Sequence, residues 1–447
     1  MVSTDVNSGQ PITTYDPMRY RNIDTNLFIK NRKKLEPYLD PNSLVVLHAN
    51  DLMAKNTDGT MPFVQNSDLF YLSGIDQEET ILLLYPDAIK KEWKEILFIK
   101  ETNPVVAVWE GSKYTKEEAS RVSGIVTVHW LSEFKRIFHT LMGLAHHLYL
   151  NTNEHPRANF PIATRDRRFI RWCQHHYPLH AYARLAPIMQ KLRGIKDEIE
   201  IALIQTACDI TAAGFLSTIP MVHPGLMEYE IEALFSYEFL RRGSRGFAYD
   251  PIIASGADSC ILHYTKNDKP CPPGELLLMD IGAEYANYAA DITRVIPIDG
   301  KFTARQRKVY NSVLRILQAA EGLLRPGLSF SDYHNAIGGW VEEELVALNL
   351  IKTADIKNQP KGAPAYRKYF MHGISHHLGL STHDLGDTHG TMLPNMVLTI
   401  EPGIYIKEEK IGIRLENNVV ITTDGVQNLT QNIPIEAEAI EALMSKK

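Results

Sequence analysis

The sequence is poor in cysteine and has no long hydrophobic run. Its four Cys residues are scattered and form no CxxC pair, which argues against a disulfide framework and a cysteine-based zinc site. We interpret them as free thiols of a reducing compartment. Because no apolar run approaches the length of about 18 residues that a membrane span requires, no transmembrane helix is expected. The polar N-terminal stretch lacks the apolar core of a secretory signal, so we expect a cytoplasmic protein.

The chain also lacks an excess of charge of either sign. Its 47 basic and 53 acidic residues give a formal net charge of −6, which suggests neither a nucleic-acid nor a membrane partner. The basic cluster at 241–245 is too short for a nucleic-acid footprint. Apolar residues make up 44% and charged residues 22%, as in ordinary globular proteins. A length of 447 residues predicts two domains rather than one.

The residue pattern changes near position 185, where we place the domain boundary. Residues 1–187 contain short apolar runs of strand length and predict an α/β domain. Residues 188–447 begin with a long amphipathic helix and continue with helices predicted at 227–241, from Thr303, and at 331–348. From residue 368 onward the pattern predicts only strands and loops. The fold class is therefore α/β (α+β), with two domains at 1–187 and 188–447.

Four acids and one histidine in the second domain carry the functional signal. Each lies in or beside an apolar, strand-like stretch, where a carboxylate is costly unless its charge is compensated. The five residues are Asp280, Asp291, His376, Glu401 and Glu416. If they converge, two divalent cations would compensate them best, which predicts a two-metal hydrolase.

The spacing of the acids predicts two antiparallel hairpins. Asp280 and Asp291 are equidistant from a turn that we place near 285–286, and Glu401 and Glu416 from a turn near 408–409. Each pair would then face across its hairpin with Cβ atoms about 5 Å apart. Two such hairpins side by side would present four carboxylates to one cavity.

Carboxylates with one imidazole favour manganese, cobalt, iron or zinc over copper(I) or an iron–sulfur cluster. A hydroxide bridging two such metals would be a strong nucleophile near neutral pH, since a metal can lower the pKa of water from about 16 to about 7. A neighbouring Glu could accept the water proton and return it to the leaving nitrogen. The expected chemistry is hydrolysis of an amide bond.

Several segments resemble a known metallopeptidase superfamily. DIGAEYANYAADITRVIP, MHGISHHLGLSTHDLG, VLTIEPGIYI and GIRLENNVVIT are similar to the metal-site motifs of methionine aminopeptidase, prolidase and aminopeptidase P. The resemblance covers 188–447 and implies the pita-bread fold. NSDLFYLSGIDQEETILLLYPD resembles the N-terminal domain that aminopeptidase P and the larger prolidases share. The resemblance is closest to aminopeptidase P, which implies cleavage between an N-terminal residue and a following proline.

The resemblance also implies a role for each residue. Asp280 would bind one metal, Asp291 and Glu416 would bridge both, and His376 and Glu401 would bind the second. Glu401 would in addition exchange a proton with the bridging hydroxide. Three further histidines would contact the substrate and assist proton transfer, and two more residues would lie on the substrate side or behind the ligands: these are His263, His372 and His383, with Arg414 and Tyr405.

Three alternatives stay open. A prolidase restricted to Xaa-Pro dipeptides would use the same metal set. A non-catalytic pita-bread binding module and the metal-free creatinase branch would not need the five ligands, which are all present here. The resemblance further implies proline-containing peptides as partners, two divalent ions with manganese foremost and Co²⁺, Fe²⁺ or Zn²⁺ as substitutes, and a homodimer or homotetramer.

Overall fold

A six-stranded mixed sheet forms the first part of the computed structural model, which describes residues 19–155, 157–158 and 161–445. The polar N-terminal stretch taken above to lack a secretory signal lies outside the described residues. The sheet order is β4-β3-β2-β1-β5-β6. Its strands are β1 (Ser43–His48), β2 (Ile81–Leu84), β3 (Glu95–Ile99), β4 (Thr127–Trp130), β5 (His147–Leu150) and β6 (Ala181–Arg184).

Helices cover both faces of this sheet, which explains the continuous apolar sequence of β1. Val45 and Leu47 point to one core and Leu44 and Val46 to another, because strand side chains alternate between faces. The helices of this part and of the connection that follows are α1 (Thr25–Leu35), α2 (Ser67–Ser73), α3 (Pro104–Glu110), α4 (Lys116–Ser123), α5 (Phe134–Met142), α6 (Arg165–His176) and α7 (Ala186–Gly194). The boundary predicted at 187/188 falls inside α7 and stays a prediction.

The second part of the chain packs long helices against short antiparallel strands. Its helices are α8 (Glu198–Thr218), α9 (Glu228–Arg241), α10 (Ala304–Leu323), α11 (Phe330–Ala347), α12 (Thr353–Lys357) and α13 (Ala437–Met444). Helix α10 begins with the predicted capping box, since Thr303 accepts from the Gln306 backbone and Gln306 from that of Thr303. Helices α9 and α11 lie where the periodicity predicted them. The expectation of strand and loop alone after residue 368 was wrong, because α13 buries Ala437, Ile440 and Met444 at helical spacing.

The strands of this part form four small sheets. In sheet order they are β11-β10-β7, β12-β9-β8, β13-β16-β17 and β14-β15. Their bounds are β7 (Gly246–Phe247), β8 (Ile252–Ser255), β9 (Leu276–Ile281), β10 (Ala283–Tyr285), β11 (Tyr288–Ala289), β12 (Ile292–Pro297), β13 (Val397–Ile400), β14 (Gly403–Ile406), β15 (Ile411–Arg414), β16 (Asn417–Ile421) and β17 (Val426–Asn428).

Helix α8 is apolar over most of its length. Within the described part of the chain, Glu198–Met221 has the length and mean hydropathy of a membrane-crossing helix. Half of its apolar window is buried inside the protein, where α8 packs against α9 and the strands β10 and β11. These contacts are those of a core helix.

Candidate metal centre

The second hairpin has the register that the sequence predicts. Strand β14 pairs with β15 so that Gly403 faces Arg414, and β13 pairs with β16 so that Ile400 faces Asn417. The same register carried across the short gap between these strands places Glu401 opposite Glu416. The predicted turn at 408–409 is confirmed, and it brings the two glutamates to one face.

The first hairpin differs from its prediction by one residue at the turn. The turn lies at Ala286–Asn287, both with positive φ (51° and 71°), a conformation that Asn tolerates well. As a result Asp280 faces Thr293 rather than Asp291. Because the displacement is two positions along the partner strand, Asp291 stays on the same face and becomes a diagonal neighbour of Asp280. The two aspartates therefore still converge.

A tyrosine joins the two aspartates. The Tyr249 hydroxyl lies 2.6 Å from Asp280 Oδ1 and 2.7 Å from Asp291 Oδ1. Burial, followed by repulsion from both carboxylates, raises the pKa of Tyr249 well above its usual value, so it stays a neutral hydrogen-bond donor. Asn418 holds the Asp291 backbone from the other side, because its amide accepts from Asp291 N at 3.0 Å and donates to Asp291 O.

Three side chains meet closely enough to share a metal ion. One ligand atom each from Asp291, His376 and Glu416 lies within 4.8 Å of the others. His376 Nε2 is 3.4 Å from Asp291 Oδ2 and 3.7 Å from Glu401 Oε1. Its Nδ1 lies 3.0 Å from the carbonyl oxygen of His377, which leaves Nε2 facing the carboxylates.

Arg414 and Thr293 orient the remaining acids. The Arg414 guanidinium donates to Asp280, to Thr293 Oγ1 at 3.1 Å and to the Tyr405 hydroxyl at 3.0 Å. The Thr293 hydroxyl donates to Glu416 Oε2 at 2.7 Å. Arg414 thus connects carboxylates of both hairpins, directly at Asp280 and through Thr293 at Glu416, while the role that the resemblance gives it stays a prediction.

His372 occupies the edge of the site beside Glu401. Its Nε2 lies 2.8 Å from the Tyr405 hydroxyl, and its Nδ1 lies 3.5 Å from Glu401 Oε2. Burial, with a smaller contribution from Arg414, lowers the pKa of His372 to about 4. At neutral pH His372 is therefore an uncharged hydrogen-bonding partner beside the Glu401 carboxyl group.

The ring of His383 lies against the ring of His376. The two ring centroids are 4.2 Å apart, and Arg157 of the N-terminal part places Nη1 2.8 Å from His383 Nε2. The same Nη1 also lies 3.3 Å from His383 Nδ1, and because an arginine only donates, one of these two ring nitrogens is the acceptor. Burial, then the charges of His376 and Arg157, lower the pKa of His383 to about 3. His263 is exposed and lies close enough to His372 and His383 to contribute to the lowering of their pKa values.

The carboxylates outnumber the positively charged side chains that contact them. Burial and this imbalance of charge together shift the pKa values of the site. Burial, reinforced by repulsion from Asp291 and Asp280, raises the pKa of Glu401 to about 7 although His376 attracts it. Burial and then Asp291 raise the pKa of Glu416 well above its usual value. Burial alone would lower the pKa of His376, but Asp291 and Glu401 raise it to about 9.

This donor set fits divalent metal ions. Buried oxygen ligands with one imidazole suit hard and borderline cations, and cations would neutralise the crowded carboxylates. The residues able to hold them are the five predicted from the sequence, and we call this group the metal centre: Asp280, Asp291, His376, Glu401 and Glu416. The structure brings all five together, while their division between two ions stays a prediction.

Sequence reasoning missed three residues here. Tyr249 stands just before β8, in a segment that the resemblance had marked only for its histidine. Asn418 lies on β16, two residues after Glu416, and nothing local indicates that its amide pairs with a distant backbone. Arg157 comes from the other domain, so only the tertiary structure brings it to His383.

Comparison with known proteins gives two family matches and full-length relatives. Residues 202–423 match the family model described as metallopeptidase family M24, and 28–149 match the aminopeptidase P N-terminal domain. The chain is 32% identical to the Xaa-Pro aminopeptidase of Escherichia coli K12, with 94% of this chain and 98% of that protein covered. It is 33% identical to the Xaa-Pro aminopeptidase of Haemophilus influenzae, with coverages of 94% and 97%.

A solved structure shares the whole architecture. A structure described as a putative aminopeptidase P from Bacillus anthracis superposes with a TM-score of 0.87 at 32% identity. The alignment covers 94% of this chain and 98% of that one. The likeness therefore extends over both domains.

Proposed function

This chain belongs to metallopeptidase family M24, and on that premise we propose that it is a metal-dependent aminopeptidase that removes an N-terminal residue preceding proline. The observation that carries the proposal is the convergence of Asp291, His376 and Glu416 within 4.8 Å, with Asp280 and Glu401 beside them. The full-length relatives are Xaa-Pro aminopeptidases and share the N-terminal domain as well as the M24 domain. The retained ligand set disfavours the non-catalytic binding module and the metal-free branch.

Divalent metal ions at this centre would polarise the scissile carbonyl and activate a water molecule. The chain's own groups then have distinct tasks. Glu401, whose carboxyl lies beside His372, is placed to accept a proton and pass it toward the leaving nitrogen. His383, whose ring centroid is 4.2 Å from that of His376, lies beside the same centre, where it can contact the substrate.

A proline after the scissile bond imposes particular requirements on the site. An Xaa-Pro bond is a tertiary amide, so its nitrogen has no hydrogen and its ring fixes the backbone. The leaving group must receive a proton at that nitrogen, and the polar groups at the edge of the centre are His263, His372 and His383. The aromatic ring of Phe370 packs edge-on against His372 at 4.7 Å and gives this edge an apolar wall.

We further propose manganese as the working metal, a homodimer or homotetramer, and a cytoplasmic location. Oxygen-rich ligand sets favour Mn²⁺, while Co²⁺, Fe²⁺ and Zn²⁺ are accepted by the same donor types. An apolar surface on the N-terminal part supports association, since Val105, Val108 and Trp109 of α3 are 69–84% exposed. The scattered buried thiols are consistent with a reducing compartment.

The test is release of the first amino acid from tripeptides by the protein loaded with Mn²⁺. Cleavage of Ala-Pro-Ala with little cleavage of Ala-Ala-Ala is expected. Cleavage of the dipeptide Ala-Pro but not of the tripeptide would establish the prolidase instead. No release from any of the three, with metal bound, would reject the proposal. The same assay with Co²⁺ and Zn²⁺ ranks the metals, and sedimentation measures the oligomeric state.

A further inference from the structure

Four charged side chains form a buried cluster between the two domains, directly behind His383. They are Asp68 at the start of α2, Arg193 and Lys196 at and after the end of α7, and Asp384, the residue that follows His383. Their exposed fractions are 8%, 4%, 2% and 7%. We call them the ion cluster. Its two positive and two negative charges balance.

Arg193 is the centre of the ion cluster. Its Nη1 donates to Asp68 Oδ1 at 2.8 Å, and its Nη2 donates to Asp384 Oδ1. Lys196 Nζ donates to the other oxygen of Asp384 at 3.1 Å. Asp68 also accepts from Asn151 at 3.0 Å. One planar guanidinium therefore spans a carboxylate of the N-terminal domain and a carboxylate of the segment that carries His383.

The segment 379–386 has no helix or strand to fix its shape. Other contacts with the same two helices hold it: the Ser67 hydroxyl reaches the Leu380 carbonyl at 3.4 Å, and Gln190 donates to the Gly386 carbonyl at 2.9 Å. A side chain at Gly379 would lie 2.2 Å from Asp384 Oδ2, so the backbone needs glycine to fold over the carboxylate. The backbone of segment 379–386 therefore folds closely around the Asp384 carboxylate.

A buried ion cluster is poor evidence for stability, because desolvation offsets most of the attraction between its charges. Such a cluster can instead fix one geometry, since its hydrogen bonds form in only one arrangement. Here the arrangement decides where His383 stands relative to His376. A displacement of about 1 Å at such a group can cost about 100-fold in rate.

We propose that Arg193 is a positioning residue for the proposed reaction: by tying segment 379–386 to α2, it holds His383 against His376. This inference rests on the proposed function for its consequence in turnover, but its geometric part stands independently. It also gives the N-terminal domain a task inside the active site of the same chain.

The test is a double-mutant cycle with tripeptide Ala-Pro-Ala and Mn²⁺-loaded protein. Arg193→Met is measured in the wild-type background and in the His383→Ala background. We expect it to lower kcat by about 100-fold in the first and to change kcat by less than about twofold in the second, because groups acting through one another are not additive. The proposal would be overturned if Arg193→Met reduced kcat by the same factor in both backgrounds, or if it left the kcat of the otherwise wild-type enzyme unchanged.

A matched control is available at the other end of α2. Arg245 also spans the domains, with Nη1 2.9 Å from Asp76 Oδ2 and Nη2 3.1 Å from Glu284 Oε1. Asp76 lies just beyond α2, and its side chain contacts Tyr20, Arg245 and Asn287 rather than segment 379–386. Arg245→Met cuts a comparable interdomain contact, and its effect on kcat should be the same with and without His383. Coupling of Arg245 to His383 as strong as that of Arg193 would reject a specific role for Arg193.

Two further measurements keep the outcome decisive. Arg193→Lys keeps the charge but loses the two-pronged guanidinium, so its kcat should lie between wild type and Arg193→Met. If Arg193→Met does not fold, the isosteric Asp68→Asn takes its place in the same cycle. A crystal structure of whichever of these variants is used should show the His383 ring displaced from His376, and an unmoved ring overturns the proposal. Inactive wild-type enzyme would refute the proposed function while leaving this structural readout valid.

Discussion

The metal centre and the ion cluster are both buried groups of charges, yet they are built on opposite principles. The metal centre gathers four carboxylates around one imidazole, and Arg414 is the arginine placed against them in the described structure. The ion cluster sets two carboxylates against two cations. The carboxyl pKa values diverge accordingly. Burial raises the pKa of Glu401 to about 7, whereas the pull of Arg193 and Lys196 on Asp384 outweighs its burial and lowers its pKa.

This difference in charge balance means that the metal centre requires bound cations, whereas the ion cluster is already neutralised by its own side chains. Excess negative charge at the metal centre is unfavourable until cations bind, and the fold tolerates it because the rest of the core supplies the stability. The ion cluster needs nothing from outside and serves to fix geometry. Substitutions and metals should therefore affect the two regions in opposite ways.

The largest effect is expected at a bridging ligand. Asp291→Ala removes a carboxylate that the resemblance assigns to both metals, so turnover of Ala-Pro-Ala should fall by at least about 1000-fold. Metal analysis should show lost binding, and circular dichroism should show an intact N-terminal domain. Turnover at the wild-type level would show that the bridging assignment is wrong.

Metal removal should destabilise the protein through the metal centre alone. Mn²⁺ at 100 times its dissociation constant should add about 2.7 kcal/mol to the unfolding free energy for each site. Thermal unfolding with Mn²⁺ and with a chelator measures this difference. Asp384→Asn, outside the centre, should retain the full difference, and Asp291→Ala should lose most of it. A Mn²⁺ response that survives in Asp291→Ala would place the metal elsewhere.

Breaking the ion cluster should cost stability in a pH-dependent way. Asp384→Asn leaves Arg193 and Lys196 buried with one carboxylate, a loss of about 3 kcal/mol at neutral pH. Because the folded pKa of Asp384 is lowered, its contribution is fully present above the unfolded pKa of about 4 and disappears as pH falls through the folded pKa. The difference between wild type and variant, measured by urea unfolding, should stay constant from pH 6 to about pH 4 and shrink as the pH falls further. A difference that grew on acidification would contradict this account.

An acid-to-amide substitution at the metal centre should raise the free energy of unfolding, where Asp384→Asn lowers it. In chelated protein, Glu416→Gln removes one of the mutually repelling carboxylates, and stability should rise by about 1 kcal/mol. Urea unfolding of chelated wild type and variant at pH 7 measures the change. A marked loss of stability would mean that Thr293 and Arg414 already compensate Glu416 without metal.

The smallest effect is expected at Arg157. Its side chain is exposed and contacts His383 through one nitrogen, so Arg157→Ala should change kcat/KM for Ala-Pro-Ala by about threefold to tenfold without altering stability. Steady-state kinetics with tripeptides measures it. An effect as large as that of His383→Ala would make Arg157 a catalytic residue.

Much of this architecture follows from local sequence. The capping box at Thr303 predicts the start of α10, and the spacing of the acids within apolar stretches predicts the hairpins of the metal centre. The turn at 408–409 follows from the symmetric placement of Glu401 and Glu416. The turn at 286–287 was misplaced by one residue, because the choice between adjacent turn positions depends on backbone conformations that the pattern of apolar residues does not encode.

By itself, the sequence predicted which side chains would converge at the metal centre, since acids among Leu, Ile and Val need a compensating partner whatever the fold. Only the tertiary structure decided how they are held. Tyr249 between two aspartates, Asn418 on the Asp291 backbone and Arg193 between two domains are contacts of residues far apart in the chain. No periodicity links such residues, because hydrogen bonds between distant segments are selected by the packing of whole elements and not by local spacing.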